Sequence, residues 1–452
     1  MSPSQPHPLG MLVNESETAH RFDARRPCSG ASFFRGAVGS VLGIAVLAAC
    51  TAMPSHDPES STAQCRWEAV REERLSLPSG AHAYIEPTSL TVAENGTLLL
   101  GSPTLVFPSM YPTGPEIERD VFVGAVIGSN GSITGVPSPV PGAELSGFSA
   151  VDNHDGTWSV AFVVLQPGTR FPESEIARDI GYGLFDGKAW LVVETEPAPD
   201  GVLLNPMRAS NLGLRSRTLL WALATRAEGG NAGVAVLRRT VGGWHITVED
   251  PSNVHGLATA HMPSLGDVVA VARPDTMSQL LRGDIVIESI SRRDGVGHLK
   301  LDSGNGNIRS PVFDSFEDPR WIGWLSDLGV EQGTRTEARV APLSLRGSDR
   351  PAITVDSSSM RLHALGPLDP GASYWLSDHV GQARSILLLR TVDFRSEVLF
   401  RMPTPYDGPY GAVAVSPSEI LISGPVMGTQ GGSPTVTTLL VRLGRTCEPE
   451  SE

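Results

Sequence analysis

Charge is sparse in this chain, and what there is has the wrong sign for a nucleic-acid partner. Charged residues make up 19% of 452, and 35 Lys+Arg face 49 Asp+Glu for a formal net charge of −14. Nucleic-acid affinity comes mainly from neutralising phosphates, so no nucleic acid is expected as a partner. Long heptad or helical runs are absent, which removes the bundle and coiled-coil classes. The one long apolar run, GAVGSVLGIAVLAA over residues 36–49, is too short to span a bilayer as a stable anchor. Cysteine is scarce, with four in the chain, whereas Gly (48) and Pro (36) are abundant. That balance describes many short strands joined by turns, an all-β protein with enough apolar residues, 40%, to bury a large core.

The apolar run follows Arg21, Arg25, Arg26 and Arg35 and stops at Leu47-Ala48-Ala49-Cys50. A basic leader, an apolar run and a small-residue stop make an export signal. The four residues LAAC resemble the lipobox of bacterial lipoproteins; the alternative is a buried cysteine ending an apolar helix. The resemblance implies that residues 1–49 are a signal peptide and that Cys50 carries lipid, palmitate included. The leader is long for that family and points to a start at Met11. Arg25-Arg26 also allows a twin-arginine reading, which the residues after the pair fit poorly. Residues 50–64 then form a lipid-anchored linker of Ser/Pro-rich, tether-like composition. Thr51, by the same resemblance, favours the outer membrane, on its periplasmic or surface face.

Export leaves Cys65 and Cys447, one at each extremity of the folded region 65–447, with a disordered tail at 448–452. An even count in an oxidising compartment suggests a disulfide, the alternative being two free thiols. The strongest internal signal is the tetrapeptide Trp-Leu-Ser-Asp, at 324–327 and again at 375–378. Around it one layout recurs: an apolar strand after a turn, a second strand often carrying Trp, a loop, then two alternating strands. First strands are expected at 89–92, 148–151, 207–210, 256–259, 310–313, 362–365 and 411–414, giving seven units. Asn95-Gly96 and Asp155-Gly156 supply the positive φ that tight hairpins need.

Only six fourth strands are found. The seventh unit ends after its third strand, at 435–444, while the segment 67–77 has no partner of its own. The amino end therefore supplies the missing strand, and the two cysteines meet where a hairpin turn would be. The expected fold is a seven-bladed β-propeller closed by an N-terminal strand completing the last blade, at about 55 residues per unit. The competing architecture is a run of separate β-sandwiches, which would show linkers between them.

In a propeller the loops from strand four to the next strand one, and from strand two to strand three, converge on one face. Arg208, Arg309 and Arg361 fall at equivalent places before or at three first strands, and Arg226 and Arg273 end two second strands. Forked guanidinium donors suit a carboxylate, sulfate or phosphate. The plainer reading is that each pairs with Asp or Glu at a blade edge. His82, Tyr84, His255, His261, His363, His379, Tyr406 and Tyr410 lie in or near the same loops and offer acid/base groups or stacking faces. No two histidines make a metal spacing, so no metal and no cofactor are expected. The stretch Asp152-Asn153-His154-Asp155-Gly156 reads as a hairpin turn rather than a calcium loop. Trp158, Trp221, Trp324 and Trp375 recur within second strands and read as packing between blades.

Phe185-Asp186-Gly187-Lys188-Ala189-Trp190 and Val241-Gly242-Gly243-Trp244 are similar to degenerate Asp-box hairpins of bacterial sialidases. That family has six blades, and its catalytic tyrosine–glutamate pair and acid find no counterpart here. Neither a Gly-x-Ser-x-Gly elbow nor a Gly-rich phosphate loop occurs. The expectation is a monomeric, membrane-anchored binding or assembly platform for an anionic ligand, such as an acidic glycan, or a protein partner. The alternative is a carbohydrate-active hydrolase or lyase, sialidase-like, acting on acidic glycans.

Overall fold

In a computed structural model the described residues are 65–75, 89–101, 122–165, 178–198, 203–204, 212–216, 219–225, 232–240, 242–250, 256–274, 282–289, 299–305, 307–330, 333–343, 352–430 and 433–447. They are all-β. Strand β1 (Cys65–Leu75) opens the folded region. β2 (Ser89–Ala93), β3 (Gly96–Gly101), β4 (Val123–Ile127) and β5 (Ile133–Gly135) form a meander, as do β6 (Glu144–Asp152), β7 (Trp158–Leu165), β8 (Arg178–Phe185) and β9 (Trp190–Pro197). The next sheet has five strands: β10 (Leu203–Leu204), β11 (Leu212–Ser216), β12 (Leu219–Thr225), β13 (Ala232–Thr240) and β14 (Gly243–Asp250), with β10 and β11 both pairing β12. Three further strand groups follow in sequence order: β15 (Leu257–Met262) to β18 (Leu299–Asn305) through β16 (Gly266–Pro274) and β17 (Arg282–Ser289); β19 (Asn307–Phe313), β20 (Trp321–Val330), β21 (Gly333–Pro342) and β22 (Ile353–Asp356); and β23 (Ser359–Gly366), β24 (Ser373–Val380), β25 (Arg384–Val392) and β26 (Arg395–Pro403). The last sheet is β27 (Gly411–Ser416), β28 (Glu419–Gln430), β29 (Ser433–Cys447) and, beyond β29, β1.

That last sheet joins the two ends of the folded region. β1 runs antiparallel to β29 with Cys65 opposite Cys447 and Leu75 opposite Thr438, and the two cysteines form a disulfide. On the chain-entropy model a bridge across so long a loop contributes about 2 to 4 kcal/mol once native strain is included.

Each sheet's first strand packs on the first strand of its neighbours: β2 on β6, β6 on β11, β11 on β15, β15 on β19, β19 on β23, β23 on β27, and β27 on β2. The apolar core lies between successive sheets. Trp324 packs with residues of the β15–β18 sheet, and Trp375 packs with Trp321, Val340 and Leu389 between the following two. Trp158, Trp324 and Trp375 are all fully buried, which agrees with the packing role expected of them. Gly323, one residue before Trp324, makes the close approach possible: a Cβ there would sit 2.7 Å from Leu362 and 2.9 Å from the Trp375 ring.

The first strand expected at 207–210 lies outside the described residues; the strand that pairs β12 and touches β6 and β15 is β11, at Leu212–Ser216. Residues 152–156 form the β6–β7 turn, where Asp152 accepts from the His154 amide and Asp155 from the Thr157 amide and hydroxyl. The 185–190 segment is likewise the β8–β9 turn. Asp186 accepts from the Lys188 and Ala189 amides, which hold its carboxyl below the usual range.

Candidate functional site: charged and aromatic groups where three sheets meet

The starts of β19 and β23, the ends of β20 and β24, the start of β25 and the 404–410 connection before β27 carry one cluster of charge. Its frame is the repeated tetrapeptide. In the first copy, Asp327 accepts from Arg309 Nε at 3.0 Å and from the Thr336 hydroxyl at 2.6 Å. In the second, Asp378 is fully buried and takes a forked pair from Arg384, Nε at 2.8 Å and a terminal nitrogen at 2.6 Å. This hydrogen bonding raises the Arg384 pKa against the opposing effect of burial. The outer nitrogens of Arg384 also reach the carbonyls of Tyr406 and Gly408 at 3.4 Å, tying the connection to the sheet.

That connection is clamped from the other side. Tyr406 donates its hydroxyl to the Ile422 carbonyl at 3.1 Å, and the Asp407 amide donates to the Pro425 carbonyl at 3.0 Å. Gly424 leaves the room: a Cβ there would lie 2.7 Å from Tyr410 and 2.8 Å from Tyr406. Tyr410 is thereby held at 0% exposure, its ring centroid 5.0 Å from His363 and 5.4 Å from Tyr406. Burial pushes both tyrosine hydroxyls up, Tyr410 well above its ordinary value. His363 is driven down to about 3 by burial and then by the nearby Arg361 charge, so its ring is neutral at any physiological pH.

Arg361 stands apart from the other two arginines. Burial lowers its pKa, Asp378 and Tyr410 act against that, and Arg384 and Arg309 repel it. Among the described residues it makes no ion pair and no side-chain hydrogen bond, while Asp378, which acts on it through charge, is bonded by Arg384. Its side chain is half-buried, so an anion reaching it would meet a guanidinium that no carboxylate has claimed.

Of the five arginines expected to bind, the structure thus brings Arg309 and Arg361 into one electrostatic neighbourhood. They are not equivalent, however. Ile308 pairs with Ser326 and Leu362 with Ser377, so Arg309 and His363 occupy matching places in the two sheets, and Arg361 lies two residues earlier in a bulge. Arg273 is the penultimate residue of β16, opposite Asp284. Arg208 and Arg226 lie outside the described residues, as do Cys50, His82, Tyr84 and His255. His379 is taken up by buried Asp356, Nδ1 to Oδ1 at 2.8 Å, in a network with Ser377 and Ser359. His261 faces Asp267 at 2.9 Å. No sequence motif marks Arg384 as a partner of Asp378. The repetition of WLSD was the available signal, since a carboxylate recurring at a strand end calls for a cation each time.

No protein-family model matches the chain, and the search of curated proteins finds no match. Among solved structures it is similar to an ulvan lyase of a polysaccharide lyase family at a TM-score of 0.47 and 7% identity, over 81% of this chain and 95% of that one. It is similar also to the β-propeller domain of the Trilobed protease from Pyrococcus furiosus, at 0.43 and 10%, over 76% and 90%. A third is the Trypanosoma rangeli sialidase, at 0.41 and 8%, over 82% and 58%.

Proposed function

We propose that this is an exported lipoprotein whose seven sheets are the blades of a closed β-propeller, and that the face carrying Arg361 is a binding platform for an anionic ligand. The four-stranded antiparallel sheets, the chain of first-strand contacts that returns from β27 to β2, and the shared sheet of β1 and β29 support the propeller. The leader, the LAAC motif and the polar stretch 50–64 support lipidation at Cys50 and attachment to the cell envelope. Metabolic labelling with palmitate tests that part: label and membrane association are expected in the wild type and lost in Cys50→Ala.

The observation that carries the binding reading is the half-buried Arg361, without an ion pair among the described residues, beside two arginines whose charges are already met. Binding to immobilised acidic glycans is expected to fall at least about tenfold in Arg361→Met, the loss of one charge-assisted contact, and equal retention of both proteins would overturn the reading. One observation favours the alternative, a hydrolase or lyase on acidic glycans: an arginine lies beside a histidine and a tyrosine. Against it, His363 is neutral down to about pH 3 and Tyr410 is held far above its usual range, so neither exchanges a proton readily near neutrality. Appearance of an unsaturated uronate during incubation with such glycans would establish the enzyme instead.

A further inference from the structure

Three polar groups at this junction lack partners, and they come from two sheets. Arg361 and His363 stand two residues apart on β23, and Tyr410 ends the connection into β27. The Tyr410 hydroxyl and His363 Nε2 are buried atoms without a hydrogen-bond partner among the described residues, although their rings touch at a centroid distance of 5.0 Å. Both feel the Arg361 charge. Buried side-chain atoms without a partner occur elsewhere too, at Trp158 Nε1 and Thr391 Oγ1 for example; what sets these two apart is the unpaired guanidinium of Arg361 beside them.

The pairing says what fits them. Arg309 and Arg384 are held in ion pairs by Asp327 and Asp378, and Asp407 is a third carboxylate that acts on Arg384, so the three arginines face three carboxylates; Arg361 alone of the three has no ion pair of its own among the described residues. The available donors are a guanidinium fork, a phenol and a neutral imidazole, with no free acceptor charge among them. The geometry points to an oxyanion site, in which the unpaired Arg361 together with His363 and Tyr410 takes one group carrying a single negative charge, a carboxylate or a sulfate monoester. This rests on the proposed platform only for the choice of face, since a small anion reports on the site whether or not a larger partner exists. The neutral histidine gives the site a second property. It offers an N–H without adding charge, so binding does not strengthen on acidification as it would beside a titrating imidazole.

Calorimetric titration of the full chain in detergent, with glucuronate, methyl sulfate and the uncharged glucuronamide, tests the site. Saturable binding of glucuronate or methyl sulfate and none of glucuronamide is expected; which of the two anions binds more tightly tells carboxylate from sulfate. Arg361→Met should abolish the signal, and Tyr410→Phe, which keeps the buried ring, should weaken it about ten- to a hundredfold, one hydrogen bond to a charged group. Affinity should stay flat from about pH 8 to about pH 5, the range in which an ordinary histidine titrates. Binding of no probe by a folded wild type, as judged by its thermal transition, would show that the orphans hold ordered water only and overturn the site. Binding unaltered in both variants would overturn it too. Loss of glycan capture with small-anion binding intact would count against the platform and leave the site standing.

Discussion

The two sheets that carry Trp-Leu-Ser-Asp bury the same tryptophan and end on the same carboxylate, yet they neutralise that carboxylate from different strands. In the β19–β22 sheet the cation is Arg309, from the first strand, and the pair is partly exposed, 36% and 19% for the two side chains. In the β23–β26 sheet it is Arg384, from the third strand, and Asp378 has no exposure at all. Which strand supplies the counter-charge decides the fate of the first-strand arginine. Where the third strand supplies it, Arg361 is released, and the place matching Arg309 is filled by the neutral His363. A repeated motif can therefore conserve packing while changing what it leaves available.

The comparison predicts equal effects in the shared part and unequal ones in the rest. Trp324→Ala and Trp375→Ala should each cost about 3 to 5 kcal/mol, the range for a large buried aromatic, and chemical denaturation should give values close to one another. A large gap between them would show that the two tryptophans are not doing the same packing. Asp378→Ala leaves the partly exposed Arg384 without its buried partner and removes a charge that Arg361 feels, and should cost about 3 kcal/mol in the same measurement. His363 supplies a pH signature that the other sheet lacks. Its folded pKa of about 3 lies below the unfolded value, so the unfolded chain takes up a proton that the folded one refuses. Its contribution is complete above about pH 6.5 and is lost toward pH 3, with a slope of up to about 1.4 kcal/mol per pH unit. The difference between wild type and His363→Phe, measured from neutral to acid, isolates that slope from the carboxylates. Asp327→Ala should have the smallest effect, at most about 1 kcal/mol, because both partners of its ion pair reach solvent. A larger loss than in Asp378→Ala would invert the comparison.

Much of this architecture is written in local pattern. Strands such as β16 and β24 begin and end close to where alternation and turn residues place them, and the unpartnered segment after Cys65 lies in register against β29. The site was legible only in outline. Arg361 stands out in the sequence, but its two-residue offset from Arg309 arises from bulges, at Arg309/Val312 in one sheet and Ser359/Leu362 in the other. No spacing along the chain announces a bulge. Nor does it tell that Arg384, rather than Arg361, claims Asp378, or that Tyr410 lies against a histidine 47 positions earlier. Those are outcomes of how neighbouring sheets pack.

The disulfide between Cys65 and Cys447 has a mechanical side. A pull applied from the amino side enters β1 at Cys65 and passes through the sulfur bridge straight into the far end of β29. The ladder of hydrogen bonds between the two strands is then spared from being peeled open one rung at a time. Under such a pull the bridge converts a zipper into a fastened seam, and reduction would lower the force at which the molecule comes undone.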